Sequence, residues 1–338
     1  MQTASAAGLF DYRRPSSAFP VLPSRSLSLP SHVFPNTLRC LSIVPSRYLT
    51  ATSIIQPDIK LYQYHICPFC NVTKSLLSYS TLDYKSVEVN PLTKAELKPW
   101  SGEYKKVPIA LIDGNQVNGS ENILEFILNL TDVQMKLENR WAEEGQNDTE
   151  PIMTMQQFEK SENALRWTRF AIDDLAALLY PNICGSLSES YDAFGYVRNV
   201  DSFSALQKIS IQYLGALAMH FAARKVKCKS IYMNIVLIFL QVNLFANRSA
   251  SIPAKRNITD EKAALSGALD RYESEGLQNG QLPYSSGKSA PDLGDIAVFG
   301  VLHSVRGLNA HRFAIQSRGG AVKEWYDRMS MQVLGRKS

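Results

Sequence analysis

Apolar and polar positions in the first half of the chain follow two periods, one typical of strands and one of helices. The run Ile59–Tyr64 favours a β-strand, and helical spacing from Pro68 onward predicts a helix directly after it. Two more strands are predicted at Tyr84–Val89 and Lys106–Ile112, followed by a helix at Ile123–Leu130. Gly114 and Asn115 predict a hairpin turn to a further strand before this helix. Because the first strand, a Cys67-Pro68-Phe69-Cys70 motif and the first helix follow one another in thioredoxin order, we predict a thioredoxin-like α/β domain.

Helical spacing dominates the second half. Apolar residues recur at helical intervals over Phe158–Leu179 and Ile209–Ala223. Asp292 and Asp295, placed before the apolar run Ile296–Leu302, form an N-capping pattern, and we assign them to folding rather than to catalysis. The sequence therefore predicts an all-α domain after the α/β domain, and its capping pattern resembles that of a buried helix in glutathione-transferase-like domains.

These patterns divide the chain into four parts. Residues 1–55 are a leader, residues 56–132 the α/β domain, residues 133–157 a polar linker and residues 158–338 the helical domain. The leader contains five arginines and one acidic residue, a composition typical of an organelle transit peptide, with a disordered tail as the alternative. We predict a mitochondrial location, with the plastid or a membrane-associated cytosolic location as alternatives.

The helical domain contains an atypical segment at residues 230–256. Its apolar stretch is shorter than the roughly 20 apolar residues of a membrane span and is interrupted by asparagine and glutamine. Because a basic cluster precedes it, one interpretation is a helix lying on a membrane surface, which predicts peripheral membrane contact. The other interpretation is a retained intron or an error in the gene model.

Composition limits the classes of function. With 338 residues, of which 45% are hydrophobic, the chain is long enough for two domains and a leader. The net charge of +5 is spread along the chain and no basic stripe alternates with aromatic residues, so nucleic acid is excluded as a partner. The five cysteines do not have the pattern of a disulfide framework, which favours a reducing compartment.

The motif Cys67-Pro68-Phe69-Cys70 joins the first predicted strand to the first predicted helix. A cysteine at a helix N-terminus lies among unpaired backbone N–H groups at the positive end of the helix dipole, which favours the thiolate. No second pair of cysteines or histidines has zinc-finger spacing, so we predict no metal here. Cys67 is therefore a candidate nucleophile or thiol-binding group.

Two further features are consistent with a site for a thiol peptide. A proline at the head of a strand suggests a cis Val107–Pro108 bond, which presents the Val107 main chain to an extended peptide such as glutathione. The alternative interpretation is an ordinary turn with a trans bond. Ser120 precedes an apolar helix, where its hydroxyl and the first N–H groups can hold a carboxylate. The simplest role for Ser120 is that of an N-cap.

Several motifs occur in the order of a known family. They are Leu61–Tyr64 with Cys67–Cys70, Val87–Pro91, Tyr104–Ile109, Arg166-Trp167, Asp173-Asp174, Pro181-Asn182, Tyr213–Ala216, Pro291–Leu302 and Glu324–Tyr326. With them, Asp58 to Met331 resembles the membrane-associated prostaglandin E synthase type 2 family, a branch of the glutaredoxin and glutathione-transferase-like proteins.

The resemblance implies a thiol-dependent isomerase that converts the prostaglandin H endoperoxide to prostaglandin E with bound glutathione. Cys67 is then the essential thiol, with Cys70 beside it, and Tyr64 and Phe69 line the pocket for a lipid substrate. The alternative is a glutathione-dependent disulfide oxidoreductase or glutathione transferase, in which Cys67 attacks a disulfide and Cys70 resolves it.

The same resemblance implies a glutathione site and further partners. Glutathione is held by Val107 with Pro108 and by Ser120 with Glu121, whereas Gly119 occupies a position that is usually acidic in the family. Family members also bind haem together with glutathione, so haem is a second candidate cofactor. A homodimer is one candidate assembly.

Overall fold

The computed structural model describes residues 56–144, 152–224 and 260–335. The predicted leader at residues 1–55 and the atypical segment at residues 230–256 lie outside these residues. The transit peptide and the membrane-surface helix therefore stay predictions.

A four-stranded mixed sheet forms the centre of the first domain. Its strands are β1 (Ile59–Gln63), β2 (Lys85–Glu88), β3 (Ile109–Ile112) and β4 (Asn115–Asn118), in the spatial order β2-β1-β3-β4. β1 is parallel to β2 and antiparallel to β3, and β3 and β4 form an antiparallel hairpin. This topology and the helices beside it confirm the predicted thioredoxin-like α/β class.

Helices α1 (Pro68–Tyr79) and α2 (Ser120–Leu128) belong to the same domain. Pro68 is the first residue of α1, as predicted, because its missing N–H has no partner to lose there. The prediction that Ser120 is an N-cap is wrong. Gly119 occupies the cap position with a φ of 84°, a left-handed conformation that glycine tolerates, and Ser120 is the first helical residue.

The predicted linker at residues 133–157 is helical over much of its first half. Helix α3 runs from Thr131 to Glu144, because three of its apolar residues lie four positions apart and are buried. These residues are Val133, Leu137 and Trp141. The polar residues between them occupy the other face of the helix, so composition alone suggests a linker. The domain limits themselves stay a prediction.

The described remainder of the chain is helical and confirms the predicted all-α second domain. Its helices are α4 (Met155–Lys160), α5 (Glu162–Arg169), α6 (Ala176–Cys184), α7 (Leu187–Ala193), α8 (Ala205–Ser210), α9 (Ala216–Arg224), α10 (Glu261–Arg271), α11 (Leu293–His303), α12 (Asn309–His311) and α13 (Gly320–Leu334). Short π- and 3₁₀-helical turns join several of them, including Phe170–Leu175 and Phe194–Asn199. In the described ranges, no helix is both long and apolar enough to cross a membrane.

Helix α11 begins with the predicted capping pattern. The Asp295 N–H donates to the Asp292 carboxylate at 3.1 Å, and the Asp292 N–H donates back to Asp295 at 3.2 Å. Asp295 also accepts hydrogen bonds from Tyr272 at 2.9 Å and from the Trp325 indole at 2.8 Å. The two aspartates thus have the folding role predicted for them, and Asp295 joins three parts of the helical domain.

Helix α1 packs directly against α11 where α11 has a glycine. A Cβ built on Gly300 would lie 2.6 Å from the Cα atom of Val72 and 2.7 Å from its backbone nitrogen. The backbones therefore approach more closely than any larger residue allows. This contact holds the helix that begins after Cys67 against the most buried helix of the second domain.

Candidate functional site

Cys67 is the N-cap of α1, as the motif predicts. Its backbone is extended, with φ −76° and ψ 120°, and its sulfur accepts a hydrogen bond from the Cys70 N–H at 3.5 Å. Strand β1 leads the chain to this position, and the Cys67 N–H donates to the Tyr64 carbonyl at 3.0 Å. The strand, the turn and the helix N-terminus together fix the position of the sulfur.

Cys70 lies one turn further along α1 and is fully buried, as is Cys67. Both thiols are free. Burial, together with the hydrogen bond to Cys67, raises the pKa of the Cys70 thiol well above its usual range. Cys70 is therefore held as a neutral thiol beside Cys67, which is the protonation state of a resolving or hydrogen-bonding partner rather than of an attacking nucleophile.

One small cluster brings together most of the predicted site residues. Its buried members are Tyr64, Cys67, Cys70, Val89, Leu97, Val107 and Ile109, and Phe69, Tyr62, Trp100 and Tyr104 pack against them. Burial raises the pKa of the Tyr64 phenol, so this hydroxyl is neutral and can donate a hydrogen bond. The cluster places a thiol, a phenol and the Val107 main chain next to one another.

The predicted glutathione residues lie beside this cluster. The Val107–Pro108 bond is cis, as the sequence suggests, and Val107 is 8% exposed. The Gly119 N–H donates to the Pro108 carbonyl at 2.9 Å, which brings the start of α2 next to the cis-proline. Ser120 is 8% exposed in the first turn of α2, and Glu121, the next residue, is exposed to solvent. The four residues occupy neighbouring positions.

A narrow apolar cleft separates the thiol loop from the second domain. The free space between its walls is about 890 Å³, including its open mouth. Tyr64 and Phe69, both predicted to line a pocket, form part of one wall, and apolar residues of the second domain form the other. Among the latter are Leu179, Tyr180, Ile183, Phe194 and Met219. Cys67 does not itself line the cleft, although Pro68 and Phe69 do.

Glu88, at the end of β2, connects the thiol loop to the second domain. Its carboxylate accepts a hydrogen bond from the His65 N–H at 2.8 Å and one from the Gln63 amide at 3.2 Å. The Tyr196 hydroxyl of the second domain is its third partner, and the Tyr196 ring stacks on His65 with centroids 5.4 Å apart. Burial nevertheless raises the pKa of Glu88 to about 7.

Two histidines of the helical domain, His220 and His303, have structural surroundings. His220 Nδ1 lies 3.1 Å from the Cys184 carbonyl, and His303 Nδ1 lies 2.9 Å from the Tyr326 hydroxyl. Burial lowers the pKa of His303 to about 4, so its imidazole is neutral. Neither histidine lines the cleft.

Three residues of this region were missed by the sequence analysis. They are Lys94 and Tyr196, which line the cleft, and Glu88, which lies behind Tyr196. Glu88 belongs to a family motif, but a carboxylate at the end of a strand has no sequence signal for a partner more than 100 residues away. Lys94 and Tyr196 lie in turns whose composition is unremarkable for loops.

Comparison with known families supports both domains. The family model described as glutathione S-transferase, N-terminal domain, matches residues 61–134. The model described as glutathione S-transferase, C-terminal domain, matches residues 257–328. The two matches follow the order of the α/β and helical domains found in the structure.

Curated proteins match over most of the chain. Prostaglandin E synthase 2 of Danio rerio is 28% identical over 305 residues, which cover 82% of this chain and 72% of that protein. Prostaglandin E synthase 2 of Mus musculus is 27% identical over 304 residues, covering 82% and 70%. The chain is similar to prostaglandin E synthase 2 of both species over most of its length. These matches and the two family models confirm the family resemblance inferred from the motifs.

Solved structures match at lower similarity. A glutathione S-transferase-I structure bound with lactoylglutathione is 13% identical, covers 81% of this chain and 94% of that chain, and has a TM-score of 0.42. Glutaredoxin 2 of Salmonella typhimurium in complex with glutathione is 18% identical, covers 81% and 94%, and has a TM-score of 0.39. Haem, the second candidate cofactor, gains no support from any of these comparisons.

Proposed function

We propose that this protein is a glutathione-dependent thiol enzyme whose reaction is the isomerisation of prostaglandin H to prostaglandin E. The observation that carries the proposal is the position of Cys67. It caps the N-terminus of α1 in the same buried cluster as Tyr64 and Val107, next to an apolar cleft between the two domains. Relatives named prostaglandin E synthase 2 support this choice of reaction.

The glutathione site of the proposal consists of Val107 and the start of α2. Within the described residues, the Val107 main chain has no hydrogen bond, so its N–H and carbonyl are available to an extended peptide. The first N–H groups of α2 and the Ser120 hydroxyl are suited to a carboxylate of the peptide. A peptide bound across both places its own cysteine near Cys67.

The isomerisation requires no net oxidation or reduction. The thiolate of bound glutathione takes a proton from the carbon beside one endoperoxide oxygen, the electrons of that C–H bond form the ketone as the O–O bond breaks, and the other oxygen gains a proton to become a hydroxyl. A thiol or phenol that donates a hydrogen bond to the second oxygen stabilises the charge that develops there. Cys67 and Tyr64 are the donors that the proposal assigns to this role, and the apolar cleft excludes water.

A disulfide oxidoreductase is the second candidate because Cys70 is in hydrogen-bonding contact with Cys67. In this reaction the Cys67 thiolate attacks a disulfide and forms a mixed disulfide, releasing one thiolate. The Cys70 thiol then loses its proton and attacks the Cys67 sulfur, releasing the second thiol and leaving a Cys67–Cys70 disulfide. Two molecules of glutathione reduce this disulfide and are themselves joined as glutathione disulfide.

The two candidates differ in their need for Cys70. We would assay the purified protein for prostaglandin E formation with glutathione, and for disulfide reduction, together with Cys67→Ser, Cys70→Ser and Cys184→Ala. Cys184 is a buried thiol of the helical domain, so its replacement is the matched control. The isomerase predicts loss of prostaglandin E formation in Cys67→Ser alone. Full activity in Cys67→Ser contradicts both candidates, and disulfide reduction without isomerisation, lost in Cys70→Ser, identifies the oxidoreductase.

A further inference from the structure

The wall of the apolar cleft contains one ionic side chain. Among the described residues that line the cleft, Lys94 alone carries a charge, and the remainder are mostly apolar or aromatic. Lys94 is only 5% exposed, whereas lysines are almost never buried unless paired. A charged group in this position needs an explanation beyond packing.

The Lys94 ammonium group has no partner within the described part of the chain. No carboxylate or hydrogen-bond acceptor contacts it, and the charge that acts on it is that of another cation, Lys105. Burial and this neighbouring charge both lower the pKa of Lys94. An anion in the cleft would relieve both effects, since it would supply the missing opposite charge.

The loop that carries Lys94 is held rigidly in place. Asn90 is 1% exposed, and its side-chain oxygen accepts hydrogen bonds from the Leu92 N–H at 2.9 Å and the Thr93 N–H at 3.2 Å. The Lys94 N–H donates to the Asn90 carbonyl at 2.8 Å. Lys94 itself has a φ of 51°, which is uncommon for a residue with a Cβ. These hydrogen bonds and this backbone conformation together fix the position of Lys94 in the loop.

We propose that Lys94 determines the specificity of the cleft by binding the carboxylate of a long-chain apolar acid. The chain of such a ligand lies along the apolar walls, and its head group pairs with the ammonium group. The inference deepens the proposed function, because it concerns the lipid substrate of the same cleft. Its test is a binding measurement that does not depend on the chemistry of Cys67.

The experiment measures displacement of a fluorescent polyunsaturated fatty acid, cis-parinarate, by dodecanoate and by 1-dodecanol. These competitors have the same chain and differ in the charge of the head group. Lys94→Met keeps most of the apolar length of the side chain, and Lys94→Gln is a second variant that keeps a polar end. Lys98→Met is the control, because Lys98 is exposed on the same loop and does not line the cleft. Melting curves establish that each variant is folded.

We expect Lys94→Met and Lys94→Gln to weaken dodecanoate binding by about 10-fold or more, since a hydrogen bond to a charged group contributes about 1.5–3 kcal/mol. Binding of 1-dodecanol stays within about 2-fold of the wild type, and Lys98→Met leaves both unchanged. Cys67→Ser keeps the preference for the acid even if it abolishes turnover, which separates this inference from the proposed reaction.

Three results would overturn the inference. The first is absence of dodecanoate binding to the wild-type protein. The second is an equal loss of acid and alcohol binding in Lys94→Met, which would show that the side chain only packs. The third is that Lys94→Met loses glutathione binding, measured by calorimetry, but keeps dodecanoate binding. This result would assign the ammonium group to a carboxylate of the peptide.

Discussion

Gly300 is the position at which the structure predicts the largest effect of a single methyl group. An alanine Cβ there would lie 2.6 Å from Val72 Cα, 2.7 Å from Val72 N and 2.9 Å from the Asn71 carbonyl oxygen. Ordinary contact begins near 3.4 Å, so the nearest of these gaps is too short by about 0.8 Å. All three neighbours are backbone atoms of α1, which have no alternative rotamer. Helices α1 and α11 must therefore move apart.

The expected cost of Gly300→Ala combines two opposing effects. Replacing glycine by alanine inside a helix stabilises the helix by up to about 1 kcal/mol. Overpacking a tight core costs about 1–3 kcal/mol, and more where nothing can move aside. Because the clash is with backbone, we expect a net loss of about 2 kcal/mol in the free energy of unfolding.

Urea denaturation followed by tryptophan fluorescence measures this change, because Trp141, Trp167 and Trp325 are each at most 1% exposed. Gly267→Ala is the matched control. Gly267 lies inside α10, and a Cβ on it would meet nothing within 4 Å, so this variant gains about 0.5–1 kcal/mol. If Gly300→Ala is as stable as the wild type, or more stable, the close approach of α1 and α11 is wrong.

Two further predictions concern buried carboxylates. Because burial raises the pKa of Glu88 to about 7, its contribution to stability is fully present below the ordinary glutamate pKa, declines as pH rises towards about 7, and is constant above it. The decline is at most about 3 kcal/mol. Urea denaturation from pH 4.5 to 8 should show it as a fall in the free energy of unfolding of the wild type that Glu88→Gln lacks. The same dependence on pH in both proteins would contradict the burial of this carboxylate. Asp295→Asn places an amide where Tyr272, Trp325 and backbone N–H groups all donate, so we expect a loss of about 3 kcal/mol or more by the same measurement. A loss below about 1 kcal/mol would show that these donors find other partners.

Those parts of the molecule that depend on neighbouring residues were predictable. The strand before Cys67, the helix after it and the mutual cap of Asp292 and Asp295 each involve residues within a few positions of one another. Even among these local features, the residue at the cap of α2 was predicted wrongly. Ser120 has a capping side chain, but Gly119 takes the cap position because the chain turns there with a φ of 84°.

The cleft was not predictable in the same way. Its walls meet only when segments more than 80 residues apart pack together, and no local pattern shows which loop residue will face the second domain. Tyr196 and Lys94 look like ordinary loop residues until the fold places both at the cleft. Helix α3 was missed for a related reason. Its buried positions form a narrow stripe four residues apart, which the polar composition around them hides.

The second domain does more than cover the thiol loop. Helix α1, which starts at the thiol, is fixed by the backbone contact at Gly300, and the loop before it is fixed by the hydrogen bond between Tyr196 and Glu88. The first contact is apolar and insensitive to pH, whereas the second involves a carboxyl that titrates near neutrality. Ionisation of Glu88 should therefore change how firmly the second domain holds His65 and its loop, while the helix beneath Cys67 keeps its position.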